Sequence, residues 1–222
     1  MEEAENRKQR ILAAALRIGG QRGLAATHMD EIAEAAGVSK GTLYNFYKSR
    51  EQLLVEAVLF FVEAAVEEIP EVSDESISGE QRLQALIESM AGSFDRIVEN
   101  FPIATQAGSL TPPGTEIHSH LLNGLNEIFL GYRKKIRSLL ALAQSEGSVR
   151  EDVDLNALAA IWVATYNGLL YRASFEESGA DSLCTEAGVK QALSWLYESA
   201  TEIETKNAFK NRAKSHTKDS KV

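Results

Sequence analysis

Residues 27–50 read Thr-His-Met-Asp-Glu-Ile-Ala-Glu-Ala-Ala-Gly-Val-Ser-Lys-Gly-Thr-Leu-Tyr-Asn-Phe-Tyr-Lys-Ser-Arg, and this stretch decides the fold. Met29, Ile32, Ala33 and Ala36 recur at helical spacing and make one apolar stripe. Thr27 is the expected N-cap of that helix, with Asp30 in its first turn near the positive end of the dipole. Gly37 stops the helix, because glycine accepts the left-handed conformation after a last turn. Val38 plugs the turn, and Ser39 caps a second short helix that opens with Lys40, Gly41 and Thr42. Those three are small or cationic, so a phosphate could approach the backbone there. Leu43 and Tyr47, four residues apart, face back to the stripe, and Tyr44 lies on a different side. Ser49 and Gln52 form a capping box that opens a third helix. Helix, turn and helix over about 28–47 make a helix-turn-helix, a shape that lays a short helix in the DNA major groove. Between Ala35 and Arg50 stand three bases, Lys40, Lys48 and Arg50, and no acid, a local field suited to a polyanion.

Charge is distributed unevenly around this segment. The chain of 222 residues carries a formal net charge of −9. Its first 60 residues balance 8 basic against 8 acidic side chains, residues 61–205 hold 9 basic and 23 acidic, and residues 206–222 hold 6 basic and 1 acidic. An acidic body is repelled by DNA, so contact is expected through the head alone. The expected division is a DNA-binding head over 5–65, a helical body over 66–205, and a basic, disordered tail over 206–222.

The single cysteine, Cys184, cannot close an internal disulfide, which suits a reducing cytoplasm. The N-terminus opens with acids, and its apolar run Ile11–Leu16 is too short for a signal peptide. The longer apolar stretch Leu53–Val66 is interrupted by Glu56 and Glu63, so no membrane span is expected.

Beyond the head the punctuation predicts only helices. One runs from about Ser49 to Ile69 and ends at Pro70, and residues 71–78 form a polar loop. The next covers about Gly79 to Asn100, with Leu83, Leu86, Ile87, Met90, Phe94 and Ile97 on one stripe. Pro102 and Pro112-Pro113-Gly114 bracket a short helical piece. A long helix over about Thr115–Glu146 keeps a 3.6-residue period from Leu121 to Ala143. Asp154 caps a helix over about Leu155–Glu176, and a last main helix spans about Thr185–Glu204. The Leu155–Phe175 segment is apolar on nearly every face, so it must be covered all round. In the last helix Val189, Leu193, Leu196, Ala200 and Ile203 form one stripe, with Trp195 off it. Two such helices can cover their second faces against the same pair in another copy, giving a two-fold four-helix interface. The candidate interface residues are Ile161, Leu169, Val189, Leu193, Leu196 and Ala200.

Residues 11–54 resemble the N-terminal domain of the TetR family, the tetracycline-repressor-like bacterial transcription regulators. The resemblance is carried by Ile11, Ala14, Ala15 and Gly23, then Thr27, Ile32-Ala33, and Ala36-Gly37-Val38-Ser39-Lys40-Gly41-Thr42-Leu43-Tyr44. It continues through Ser49-Arg50-Glu51 and Leu53-Leu54. It implies an all-α fold, a three-helix helix-turn-helix head on a larger dimerising body. It also implies dimerisation through the last two helices, and a pocket whose small-molecule occupant changes the spacing of two heads.

Three positions depart from the family pattern. Gly19-Gly20 stand inside the first helix where a large apolar residue is usual, at roughly 1 kcal/mol each against alanine. Phe46-Tyr47 reverse the usual order, so Tyr47 takes the core slot and Phe46 a slot that often meets DNA. There Phe46 could pack on a thymine methyl or a sugar, or simply lie on the surface. Arg50 replaces the usual Lys and can still contact phosphate.

The expected DNA contacts are Ser39, Lys40, Gly41, Thr42, Tyr44 and Phe46 from the second helix, with Thr27, Lys48 and Arg50 gripping phosphates. Candidate pocket residues are Met90, Phe94, Phe101, Phe129, Trp162 and Tyr166, with Asn126, Thr165 and Asn167 as polar handles. His118 and His120 point about 200° apart on a helix and cannot share one ion, so no metal or other cofactor is expected. Neither a nucleophile–base pair nor a phosphate loop occurs, so an enzyme is not expected. The expected function is a homodimeric, ligand-responsive repressor, released from a palindromic operator on double-stranded DNA by an apolar or aromatic effector. The alternative is a dimeric ligand- or protein-binding module whose head no longer grips DNA.

Overall fold

In the computed structural model the described residues are 2–67, 76–175 and 181–201. They form helices and turns, and no strand occurs among them. The basic tail, Pro70 and residues 71–75 of the expected loop lie outside them. The head consists of α1 (Glu2–Arg22), a 3-10 turn (Leu24–Ala26), α2 (Met29–Ala36) and α3 (Lys40–Phe46). A connecting helix, α4 (Arg50–Glu67), leads into α5 (Gly79–Gly92), α6 (Phe94–Leu110), α7 (Glu116–Ser145), α8 (Leu155–Ala173) and α9 (Glu186–Thr201).

The head folds as its punctuation dictates. Met29, Ile32, Ala33 and Ala36 of α2 are buried with Leu43 and Tyr47 against Ile11, Leu12, Ala15 and Ile18 of α1. Gly37 ends α2 at φ 66°, the left-handed region a glycine enters without a Cβ clash. Ser39 caps α3 by accepting from the Thr42 N–H at 3.0 Å. Ser49 Oγ accepts from the Gln52 N–H at 3.1 Å, and Gln52 Oε1 accepts from the Lys48 N–H at 2.8 Å, one residue earlier than in a standard capping box. The N-cap of α2 is His28 and not Thr27. Thr27 closes the preceding turn, and its buried hydroxyl donates to the Gly23 carbonyl at 3.1 Å.

Gly19 has a packing reason. A Cβ there would lie 2.8 Å from Leu24 Cδ2, so its absence is what seats the buried Leu24 against α1. The helix continues through both glycines to Arg22.

The body departs from expectation at two points. The helix expected over 79–100 is broken at Ser93, whose hydroxyl donates to the Ser89 carbonyl at 2.8 Å. Gly92 and Ser93 are weak helix formers, and a serine hydroxyl competes for backbone acceptors, so α5 stops there. The next helix runs from Phe94 straight through Pro102 to Leu110. A proline inside a helix costs about 3 kcal/mol. Burial of Ile97, Ile103 and Ala107 on either side offsets it.

Two apolar cores result, and α4 belongs to both. Leu53, Leu54 and Val58 are buried in the head core, while Phe61, Ala65 and Val66 pack on the body core. Body helices also reach into the head core, through Ile103 and Ala107 of α6 and Leu121 of α7.

Candidate nucleic-acid interface and effector cavity

The outward surface of α3 presents Lys40, Gly41 and Tyr44 to solvent, with Tyr44 40% exposed and Thr42 half-buried. Lys40 Nζ lies 2.8 Å from Asp30 Oδ1 on α2. The hydrogen bond to Asp30, then that carboxylate's charge, holds the ammonium above its ordinary value. Lys48 Nζ donates to the Tyr44 carbonyl at 3.4 Å and stays at the exposed end of α3. Ser39 and Thr42 share a hydroxyl contact of 2.8 Å. Phe46 is half-buried on the head core, its ring centroid 6.4 Å from that of Tyr47. Tyr47 fills the core slot at 3% exposure, its phenol pushed upward by burial first and by Glu56 and Glu5 second.

Two expected phosphate contacts are engaged inside the protein. The Thr27 side chain is fully buried and faces Gly23. The Arg50 guanidinium turns inward, donating from Nη2 to the carbonyls of Leu24 at 2.7 Å and Ala25 at 3.1 Å. A carbonyl pair at a turn fits the fork of an arginine as well as a phosphate does, so sequence alone could not decide between them.

In the body a cavity of about 230 Å³ lies among α4, α5, α6, α7 and α8. Five of the nine candidate pocket residues line it: Met90, Phe101, Phe129, Tyr166 and Asn167. Phe94 and Trp162 are instead fully buried core, Phe94 meeting Tyr166 edge-on at 6.1 Å. Asn126 is exposed, and Thr165 lies away from the lining on the outer part of α8. The residues missed are mainly those of α4, namely Phe61, Val62, Ala65 and Val66, together with Tyr132 and Ser93. The four-residue spacing of Phe61 and Ala65, past the head's own apolar stripe, was the signal available for them. Tyr132 donates to Met90 Sδ at 3.4 Å, and Tyr166 to the Met90 carbonyl at 3.0 Å. Burial pushes the Tyr132 phenol strongly upward, so it stays protonated.

His118 Nδ1 pairs with Thr111 Oγ1 at 2.9 Å, and His120 Nε2 with Glu56 Oε1 at 2.8 Å, tying α7 to α4.

The expected interface residues separate into two groups. Val189, Leu193, Leu196 and Ala200 of α9 lie in the chain's own core and so are closed to a partner. Their stripe packs inward because α9 sits against α5 and α8. Leu169 is half-buried, while Ile161 is 50% exposed. The outward face of α8 runs Ala157, Ile161, Ala164, Gly168 and Tyr171, and Phe175 follows in the turn after the helix, all exposed, while Trp195 of α9 is 65% exposed.

A helix-turn-helix head carried on an all-helical body with an apolar cavity defines a class of DNA-binding regulator. Comparison with known proteins narrows the class. The family model described as "Bacterial regulatory proteins, tetR family" matches residues 11–57. The HTH-type transcriptional repressor KstR of Mycolicibacterium smegmatis is 30% identical over 152 residues, covering 68% of this chain and 69% of that protein. The HTH-type regulator YerO of Bacillus subtilis is 25% identical over 166 residues, covering 74% of this chain but 56% of YerO. The solved fatty acid degradation regulator FadR of Bacillus halodurans superposes with a TM-score of 0.64 at 22% identity, covering 85% of this chain and 97% of that one, a likeness of fold. The chain belongs to the TetR family of helix-turn-helix transcriptional regulators. Among the described residues no helix is long and apolar enough to cross a membrane.

Proposed function

We propose that the protein is a homodimeric repressor that holds a palindromic operator and leaves it when a small apolar or aromatic molecule enters the body cavity. The observation that carries this reading is the double membership of α4. Its first turns lie in the head core through Leu53 and Leu54, and its last turns wall the cavity through Phe61, Val62, Ala65 and Val66. A ligand that presses on those four side chains acts on a rigid rod whose other end carries the DNA head. Ligand and operator then compete through two α4 positions with different affinities, which is allosteric coupling in the thermodynamic sense.

Dimerisation is supported by the outward apolar stripe of α8, with Ala164 and Gly168 small enough for close helix approach between Ile161 and Tyr171. Two heads related by a two-fold axis read half-sites about one helical turn apart. Lys40, Gly41, Thr42 and Tyr44 carry the base-facing surface, and Lys48 meets phosphate. Selection of bound fragments from the source genome at about 0.15 M salt tests the proposal. A palindrome is expected, and it should be lost with Lys40→Ala and Tyr44→Ala together. Specific binding that survives both changes would place the reading surface elsewhere.

A further inference from the structure

We infer that the effector is electrically neutral and carries a single carbonyl or hydroxyl group, which Asn167 recognises. This rests on the reading of the cavity as the effector site. Among the described residues that line the cavity there is no Asp, Glu, Lys, Arg or His. Three of the four lining hydroxyls donate into the wall: Tyr132 to Met90 Sδ, Tyr166 to the Met90 carbonyl, and Ser93 to the Ser89 carbonyl at 2.8 Å. A carboxylate placed here would find no cation among the described lining, and its own desolvation would be uncompensated there. An ammonium would find no anion among the described lining. Asn167 on α8 is the one carboxamide of the described lining, half-buried, and it offers a donor and an acceptor together. That pair matches a ketone, ester, lactone or alcohol, each of which needs a donor, an acceptor or both, and no counter-charge.

The size of the cavity sets the probes. A volume of about 230 Å³ holds roughly eight water-sized groups. Nonan-2-one, octanoate and octylammonium each have about ten non-hydrogen atoms, differ chiefly in charge, and suit such a space. Calorimetric titration of the full chain at pH 8 is expected to show the ketone binding about a hundredfold or more tighter than either ion. Octanoate should gain about tenfold for each pH unit lowered towards its own pKa, because only the protonated acid enters. Asn167→Leu should weaken the ketone about tenfold. Two filling variants, Ala65→Trp and Ser89→Leu, each checked for native circular dichroism, should abolish binding of every probe.

The outcomes separate the two readings. If octanoate or octylammonium binds at pH 8 as tightly as the ketone, and filling abolishes it, the cavity stands and the neutral class falls. If the ketone is unaffected by Asn167→Leu, the assignment of the recognising group is overturned. If no probe binds, or binding ignores the filling variants, the cavity itself is not the effector site and the inference falls with it.

Discussion

Replacing Arg50 by Gln separates a structural from a DNA-contacting role for this side chain. In the structure its Nη2 donates to the Leu24 and Ala25 carbonyls, fastening the turn between α1 and α2 onto the first turn of α4. Hydrogen bonds from a charged donor contribute about 1.5–3 kcal/mol each when shielded. The side chain here is 28% exposed, and its Nε is buried without a partner, so both bonds deserve a discount. A net loss of about 2 kcal/mol is expected for Arg50→Gln. For a chain of this length that lowers the melting midpoint by roughly 4–8 °C, measured by thermal denaturation of the unliganded protein. DNA titration in graded salt supplies the second reading. A phosphate contact removed would flatten the slope of log affinity against log salt by about one. The inward fork predicts a stability loss with that slope unchanged. An unaltered midpoint together with a flatter slope would falsify the internal role and restore Arg50 to the interface.

Further expectations follow from other contacts. Asp30→Asn frees Lys40 and removes a negative charge beside the DNA face, so operator affinity should rise by a few-fold at low salt, an amount in keeping with an exposed ion pair; filter binding showing weaker association would contradict this. Gly79→Ala puts a methyl against the backbone of Leu142 and Ala143, where nothing can rotate away, and should destabilise the body by about 3 kcal/mol or more in urea unfolding; a neutral result would mean that α5 and α7 are not so closely apposed. Trp195→Glu on the exposed face of α9 should shift the proposed dimer towards monomer in sedimentation, while Leu193→Glu should unfold the chain, because Leu193 is fully buried. Asp181 is held below its ordinary value of 3.8, first by the Leu183 N–H and then by Arg172. Its contribution is therefore complete above that ordinary value and is lost as pH falls through the lower folded one. The protection of the Leu183 amide, its exchange rate divided by the intrinsic rate at the same pH, should fall only below the ordinary carboxylate value, and a loss of protection near neutrality would point to another group.

The head was legible because its information is local. Gly37, Ser39 and Ser49 each act within four residues of themselves, and spacing reveals such devices directly. The break at Ser93 was less legible, since the stripe from Leu83 to Ile97 runs across it without losing phase. Periodicity reports that a face is apolar and is silent on a bend that preserves the face. The same limit explains α9, where the stripe of Val189, Leu193, Leu196 and Ala200 was real but turned towards the chain's own α5 and α8. An apolar face does not state which neighbour it will meet. The cavity was half legible for a different reason: aromatic residues marked the region, but a wall is made by helices distant in sequence. The spacing of Phe61 and Ala65 marked an apolar face on the C-terminal turns of α4, but not that this face would form one side of a cavity. Arg50 shows the chemical version of this limit, because carbonyl and phosphate oxygens attract the same guanidinium.

The entry of Ile103, Ala107 and Leu121 into the head core bears on modularity. Swapping DNA specificities between relatives by grafting residues 1–65 onto a foreign body would sever a shared interior. The transplanted head would meet a floor shaped for another protein's α6 and α7, leaving voids or clashes beneath α1 and α4. A workable chimera has to carry those three floor residues along with the head, so the unit of inheritance for DNA recognition is discontinuous in sequence.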